Sequence, residues 1–561
     1  MIVRLILLVA TCSALCQNAL AADARSNDKP NILLIMADDL GFSDLGAFGS
    51  EIRTPNIDRI VAEGVRLTNF YAAATCSPTR AMLLSGVDNH QSGIGNMKEL
   101  RASNQIGQPG YEGYLNNRVV TLAELLKREK YATFITGKWH LGAEIDQSPN
   151  TRGFDRSFIQ ATGAGDHFGG RIAVPHELLE LTPPVSEWRS DGKAVTEFGV
   201  DFYSSDVIAE KMIEFIHEGP RKPFFGFLSF TAPHWPLQAR EDYIAKYAGR
   251  YDDGYDVIRA ERFARQKRLG LVGDEWTLPP RAGHVPPWEA LSADERRQSA
   301  KRMEIYAAMI ESMDANVGRV LSFLERRGAL SNTIIVFLSD NGATDATERH
   351  PMMASATRFY DNNFENLGKV GSFATYGPGW AQVSNTPFSG FKMLGMEGGV
   401  HVPAIIRVPG NKRPGGSEPA ILNVKDILPT LVEAAGGELP EKSFKGRDII
   451  SPTGSSFLDL ARGDRAAASR ARPYIAMEIA GTRALRDGDW KLVGRAAPGG
   501  NVPPRWQLFN LANDPSELND LSSAEAEKFQ SMIGLWAAYE KENGYIHASD
   551  FPIKMSPPAP K

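Results

Sequence analysis

Two pairs of oxygen donors stand directly after apolar, β-branched segments: Asp38-Asp39 after NILLIMA, and Asp340-Asn341 after TIIVFLS. In an open parallel sheet the C-terminal strand ends form the crevice where ligands bind, so both pairs are placed to hold a cation. One such Asp pair alone is more often a turn or a helix cap. Two pairs at one edge change the weighing, because three carboxylates this close repel unless an ion neutralises them. Ligands that are all oxygen favour Ca2+ or Mg2+ over zinc. A competing group, Asp252, Asp253 and Asp256 around Gly254, lacks a glutamate at calcium-loop spacing and is read as a solvated loop.

A second constellation is Cys76-Ser77-Pro78-Thr79-Arg80. Ser77 and Pro78 read as N-cap and first position of a helix, which sets Cys76 just outside its positive end. A bare thiol there has a depressed pKa and is reactive; the plainer reading is a buried structural cysteine. Arg80 in the first turn faces any anion bound at that helix end. Lys138 and His140, two apart on an extended segment, share one face while Trp139 points away. A lone histidine is usually structural, and eight of the ten in this chain are placed in that class, His140 and His234 being set apart. Lys392 alone reads as a surface charge; its lead onto Glu397-Gly398-Gly399 raises it.

Cys-x-Pro-x-Arg, as in CSPTR, is similar to the sulfatase signature whose cysteine is oxidised after synthesis to Cα-formylglycine. Around it stand ADDLG, TGKWHLG, TAPHWP, SDNG and K-x4-EGG, in an order and spacing that resemble bacterial type I arylsulfatases. The resemblance extends through PGYEGYLNNRVVTLAELL and DPSELNDL, over most of the mature chain. It implies an alkaline-phosphatase-like fold and the hydrolysis of sulfate monoesters. It also implies that Asp38, Asp39, Asp340 and Asn341, with the group derived from Cys76, hold one Ca2+, with Mg2+ second. Cys76, converted by a transient maturation enzyme, is then the nucleophile, and Arg80, Lys138, His140, His234 and Lys392 surround the sulfate.

A serine attacking sulfur leaves a stable ester, whereas one hydroxyl of a hydrated aldehyde attacks and the other, once deprotonated, collapses the diol and releases sulfate. The resemblance assigns Asp340 as base for attack, His234 with Lys392 as proton donors to the leaving oxygen, and His140 as base for collapse. Each such role supplies roughly 10²- to 10⁴-fold. The cation, Arg80, Lys138 and Lys392 against three aspartates leave about two net positive charges for an anion. Three positions depart from the family pattern: Lys130 stands for Gly, Ser85 for Thr, and His401 for Arg. The first two are expected to affect turns or packing, the third substrate contacts near Lys392.

The elements that must position these residues alternate. Strands are expected at 31–36, 65–71, 131–136, 224–230, 333–338 and 402–408, with helices started by Thr54-Pro55 and by a Thr121/Glu124 capping box. A helix from Met303 to Arg327 carries a stripe through Tyr306, Ile310, Met313, Val317, Val320 and Leu324. The pattern predicts an α/β fold: a large mixed, mostly parallel sheet flanked by helices. After about residue 446 short strands at 474–479, 482–486, 490–493 and 506–511 and a helix at 524–542 predict a small domain of antiparallel sheet plus helix. Residues 461–472 read as a linker, and the segments 235–291 and 343–391 as long loops building the site walls, with Trp235, Trp276, Trp288, Phe359 and Trp380 compatible with an aryl leaving group and equally with a sugar or alkyl sulfate.

Residues 1–21 read as a signal peptide, too short in its apolar run for a membrane span, followed by a catalytic domain at 22–445 and a small domain at 446–561. Export points to a bacterial periplasm, with secretion as the alternative. A net charge of −5 excludes a global basic field for nucleic acid, and three cysteines, two of them in the leader, exclude a disulfide framework. Oligomeric state is not readable. The rival functions are a phosphomonoester, phosphodiester or phosphonate hydrolase of the same superfamily, a hydrolase using the unmodified cysteine, and a non-catalytic exported calcium-binding protein. Cys76→Ser made in a host unable to oxidise serine is expected to lose nitrophenyl sulfate turnover; retained activity contradicts both the thiol and the formylglycine schemes.

Overall fold

The computed structural model describes residues 29–169, 187–348, 359–464, 474–495 and 504–550. The expected leader and most of the expected linker lie outside them. Ten strands form one sheet: β1 (Asn31–Ala37), β2 (Val65–Tyr71), β3 (Ala132–Lys138), β4 (Arg156–Gln160), β5 (Trp188–Ser190), β6 (Lys193–Val195), β7 (Phe224–Ser229), β8 (Thr333–Ser339), β9 (Ala404–Arg407) and β10 (Gly416–Asn423). Their order is β10-β2-β9-β8-β1-β7-β3-β4-β5-β6. The run β8-β1-β7-β3-β4 is parallel, and β9 is antiparallel to both β8 and β2. Each parallel strand therefore delivers its following loop to the same edge.

The central strands read as unbroken apolar runs because both faces of the sheet are covered. On β1, Leu33, Ile35 and Ala37 enter one core while Ile32, Leu34 and Met36 enter the other. Helices flank the sheet: α1 (Pro55–Glu63), α2 (Cys76–Ser85), α3 (Leu122–Arg128), α4 (Ser204–Glu218), α5 (Tyr255–Arg268), α6 (Ala293–Arg326), α7 (Gly377–Ser384), α8 (Glu397–Val400) and α9 (Ile427–Ala434). The Thr121/Glu124 capping box opens α3. Among the described residues no helix is long and apolar enough to cross a membrane.

Helices α5 and α7 form inside segments read as loop, and α6 starts earlier than expected. The stripe of α6 is buried throughout, but the helix begins at Ala293, behind a Ser292/Glu295 capping box, because its first turns are polar and show no apolar period. α5 forms inside a segment read as loop. Its inward face carries Arg259, Arg262 and Gln266 between the apolar Tyr255, Ile258 and Phe263. Arg262 is satisfied by Asp44 and by both oxygens of Glu51, at 2.9 Å each. Trp288 and Trp380 likewise fill the core, 5.9 Å apart between ring centroids, instead of lining a pocket. Asp256 belongs to α5 and accepts from Arg281, whereas Asp252 and Asp253 are exposed as expected.

Beyond a short ladder of β11 (Ser443–Phe444) and β12 (Arg447–Asp448), Phe457, Leu458, Leu460 and Ala461 still pack into the core that holds Leu428 and Leu431. That core therefore continues past the expected boundary at 445/446. The small antiparallel sheet runs β13 (Ile475–Ile479), β14 (Thr482–Asp487), β15 (Trp490–Arg495) and β16 (Arg505–Asn510), with α10 (Ala526–Asn543) on one face. Its other face lies on the large sheet's unit: Ile475, Met477, Ile479 and Ala484 pack with Tyr71, Ala74 and Val400.

The two units are also joined by a buried histidine. His90 Nδ1 is 2.8 Å from Asp88, Nε2 is 3.0 Å from Glu478 on β13, and Tyr539 of α10 donates to Asp88 at 3.0 Å. Burial opposes the imidazolium, but the two carboxylates outweigh it and raise His90 from 6.5 to about 9. A raised folded-state pKa stabilises fully below 6.5 and ceases to do so as pH rises through about 9. The thermal midpoint is therefore expected to fall between those pH values by an amount equivalent to roughly 3 kcal/mol at most. His90→Gln flattens that slope; an unchanged slope contradicts the assignment.

Candidate active site

Every element named in the sequence reading brings its residues to one sheet edge. β1 ends at Ala37 and is followed by Asp38 and by Asp39, which adopts φ 64°; β8 is followed by Asp340 and Asn341. β7 leads into His234, β3 ends on Lys138, and the loop after β2 leads into Cys76. Asp38, Asp39, Cys76, Arg80, Lys138, His234, Asp340 and Asn341 are all buried. Gly342 makes the edge compact, since a Cβ there would meet the Gly398 carbonyl at 1.8 Å. Its N–H donates to the Gly399 carbonyl, which joins SDNG to EGG.

Opposite charges interlock in this pocket. Arg80 donates through Nε (3.1 Å) and Nη2 (2.8 Å) to Asp340 Oδ2, and through Nη1 to Ser229 and to the Lys138 carbonyl. Lys138 Nζ lies 2.6 Å from Asp38 Oδ2, and Lys392 Nζ lies 2.6 Å from Asp39 Oδ1 and 3.2 Å from Cys76 Sγ. Asn341 Nδ2 donates to Asp39 Oδ1 at 2.7 Å. Burial alone raises the Asp39 carboxyl, but the charge and hydrogen bond of Lys392, with Lys138 farther off, outweigh it and hold it at about 2. Asp340 is raised, by burial first and then by Asp38, despite Arg80. This is the mutual repulsion anticipated for three clustered carboxylates.

Three oxygens remain without donors while fully enclosed: Asp38 Oδ1, Asp39 Oδ2 and Asn341 Oδ1. Buried acceptors are normally satisfied, so this set is chemically incomplete without a hard cation. His234 supports the same reading. Its Nδ1–H donates to the Trp235 carbonyl at 2.7 Å, so in the neutral ring Nε2 is a lone pair, 3.5 Å from Asp39 Oδ2. Two acceptors face each other favourably only across a proton or a cation. Ligand atoms of Asp38, Asp39, Cys76 and His234 all lie within 4.8 Å of one another. Asp340 is placed differently: its Oδ2 is taken by Arg80 and its Oδ1 accepts from the Asp39 N–H at 3.2 Å.

Several local expectations are corrected. Cys76 is the first residue of α2, with Thr75 as N-cap, so the helix starts earlier than Ser77. A bare thiol here is not activated. Burial dominates, and with Asp340 and Asp38 it outweighs the pull of Lys138 and Lys392, pushing the thiol up to about 12. Trp139 does point away from Lys138, its ring 6.3 Å from that of Phe154. The strand, however, stops at Lys138, and His140 adopts φ 53°. Its ring fits because a Cβ on Gly163 would lie 2.5 Å from it. Lys130 also adopts a left-handed φ of 73°, a conformation that costs glycine nothing. Ser85, the last residue of α2, donates its hydroxyl to the Ala81 carbonyl at 2.6 Å, and Gly86 at φ 66° ends the helix. Both ring nitrogens of His401 are already engaged, by Glu397 and the Thr68 carbonyl at 2.8 Å each.

Two residues escaped the sequence reading. Glu99, on a short turn far from any motif, lies 3.5 Å from His140 Nε2, while His140 Nδ1 is buried without a partner. Burial holds His140 below its usual range, so it is neutral and free to accept a proton. His167 donates from Nε2 to the His234 carbonyl at 3.0 Å and bonds Ser204 through Nδ1, fixing the backbone that carries His234. Trp235 stands against His234, ring centroids 4.4 Å apart.

The architecture and this charge arrangement define a hydrolase site for a tetrahedral anion. The family model described as Sulfatase matches residues 30–437. The chain is 41% identical over 532 residues to an uncharacterized sulfatase of Schizosaccharomyces pombe, covering 93% of this chain and 95% of that protein. It is 38% identical over 443 residues to an arylsulfatase of Klebsiella aerogenes, covering 78% and 92%. The crystal structure of Ps i-CgsB shares the fold at 24% identity and a TM-score of 0.65, covering 93% of this chain and 95% of that one. A phosphonate monoester hydrolase of Agrobacterium radiobacter shares it at 20% and 0.54, covering 92% and 96%. The chain belongs to the sulfatase family. Its activity class is that of a sulfuric ester hydrolase.

Arg80→Lys keeps the charge but loses the paired bonds to Asp340, and is expected to cost roughly 1–3 kcal/mol of stability. It should also lower kcat/KM for an aryl sulfate by at least about tenfold, since Asp340 and the anion both lose their orientation. Thermal unfolding and steady-state kinetics read the two effects; a variant matching the parent in both contradicts this role.

Proposed function

We propose that this chain hydrolyses sulfate monoesters of the arylsulfatase type to an alcohol or phenol and inorganic sulfate, using a Cα-formylglycine made from Cys76 and a single bound Ca2+. The observation that carries the reading is the set of three enclosed, donorless oxygens beside Cys76, inside a ring of Arg80, Lys138 and Lys392. Asp38, Asp39 and Asn341 would hold the cation through those oxygens, with Asp340 and residue 76 beside them. The dication supplies Lewis-acid stabilisation of negative charge on oxygen. The formylglycine hydrate supplies two hydroxyls on one carbon, one to attack sulfur and one to let sulfate leave by C–O cleavage.

This chain's own groups do the remaining work. Lys138 and Lys392, both kept charged against burial by their aspartate partners, bind and orient the sulfate oxygens. Asp340, raised by burial and by Asp38, has the affinity to take the proton of the attacking hydroxyl. His140, neutral at working pH, is suited to remove the second hydroxyl's proton. His234 donates to the leaving oxygen together with Lys392; Asp39 and the bound sulfate monoanion both oppose the burial that otherwise keeps His234 neutral. A buried thiol held near 12 does none of this, which favours conversion of residue 76 over a plain cysteine hydrolase.

The same reading takes the chain as a catalytic unit extending to about residue 464 and a small unit from 474, exported to the periplasm or secreted after removal of residues 1–21, and matured by a formylglycine-generating enzyme. Mass spectrometry across residue 76 is expected to show conversion in active protein, with about one calcium per chain. Nitrophenyl sulfate should be turned over faster than nitrophenyl phosphate. An active preparation with its thiol intact, or a large preference for phosphate, overturns the proposal.

A further inference from the structure

A second buried charge cluster lies outside the pocket, at the seam between the two units. Glu397, at the start of α8, is 2% exposed. Its Oε1 accepts from Lys491 Nζ of β15 at 2.7 Å, and its Oε2 accepts from the Tyr71 hydroxyl at 2.7 Å and contacts His401 Nδ1 at 2.8 Å. Its backbone N–H donates to Glu517 Oε2 of the small unit at 2.7 Å, and Glu517 Oε1 lies 2.9 Å from the same Lys491. Arg486 of β14 also bonds the Tyr71 hydroxyl. Buried ion clusters stabilise little against apolar packing of the same volume, so geometry is the better account of why a fold keeps one.

That geometry leads to the active site within one hairpin. The Gly398 N–H closes the hairpin onto the Ser389 carbonyl at 2.7 Å, and inside it Lys392 N donates to the Ala343 carbonyl at 2.9 Å. Met393, at φ 72°, donates to the carbonyl of Ala74, two residues before Cys76. Met396 packs on Val493, Phe509 and Leu511 of the small unit. The hairpin is thus gripped on one side by the loops carrying Asn341 and Cys76, and on the other by the small sheet. A lysine side chain has four rotatable carbons and keeps a reactive position only if its backbone is fixed.

We propose that Lys491 and Glu517 are positioning residues for Lys392: by holding Glu397 they fix the hairpin that sets the Lys392 ammonium against Cys76 and Asp39, so the small unit completes the active site. The inference rests on the sulfatase reading of Lys392 and extends it to residues of another unit.

The test uses full-length matured protein with a series of aryl sulfates of differing leaving-group pKa. The parent's turnover, measured first, bears on the activity; the variant ratios bear on positioning. Lys491→Met is expected to lower kcat about 10- to 100-fold with KM changed far less, and to steepen the dependence on leaving-group pKa, because Lys392 assists the departing oxygen. In a Lys392→Ala background the same change should cost less than about threefold, since there is no longer an ammonium to place. Glu517→Gln, which keeps the acceptor for the Glu397 N–H, should lose less than Lys491→Met and serves in its place if that variant does not fold. An equal loss with and without Lys392, or a lowered melting temperature with kcat and leaving-group slope unchanged, overturns the proposal.

Discussion

Three aspartates and three cations share one buried pocket, and the rest of the molecule is arranged so that they can. Each cationic side chain has one nearest carboxylate, Asp340 for Arg80, Asp38 for Lys138 and Asp39 for Lys392, and Arg80 also lies 3.9 Å from Asp38. The pairing is complete in number but not in geometry. One oxygen of Asp38, one of Asp39 and the amide oxygen of Asn341 still face inward without a donor. In a medium that screens charge poorly, such a deficit is expensive, and it is the kind of deficit that a hard cation removes. The same interlocking keeps Lys138 and Lys392 charged where burial alone would neutralise them, so the pocket stays ready for an anion although the chain as a whole is negative.

Delivering these charges to one point requires a parallel sheet. β1, β8, β7 and β3 run in the same direction, and the loops that follow them bring Asp38, Asp340, His234 and Lys138 to a common edge. β9, antiparallel to its neighbours, follows the segment that carries Lys392, whose backbone bonds to Ala343 and, through Met393, to Ala74 tie it to the same edge. The small sheet has one face on α10 and the other on Tyr71, Ala74 and Val400, the residues that frame the Cys76 loop. Among the described residues, ion pairs cross this seam at His90 and at Glu397. The small unit is therefore part of the scaffold behind the chemistry.

What was legible in the chain follows from local rules. Runs such as NILLIMA and TIIVFLS locate strands buried on both faces, and the capping box at Thr121 locates a helix start, because both signals are complete within a few residues. α5 was illegible because Arg259, Arg262 and Gln266 interrupt the apolar period of its buried face. The partners that make Arg262 tolerable there, Asp44 and Glu51, lie about two hundred residues away, so periodicity has nothing to detect. The start of α6 was hidden by polar turns in the same way. Trp288 and Trp380 illustrate the converse: aromatic residues in a loop-like segment suggested a pocket wall and proved to be core.

For the site, residue type and order along the chain were enough to name the acids, the cations and the cysteine, since motifs record which functional groups are needed. They did not carry the environment of those groups. Whether the Cys76 thiol is activated depends on how completely it is buried and on which charges lie nearest, and the balance turned out opposite to that of an exposed helix terminus. Glu99 beside His140, His167 behind His234 and Lys491 behind Glu397 each come from segments far apart in the chain. The amino-acid order specifies which groups exist and which strands carry them, because those are short-range properties. Which oxygen goes unsatisfied, which ring nitrogen is free and which domain holds a lysine in place are set by distances between remote segments, and those exist only once the chain has folded.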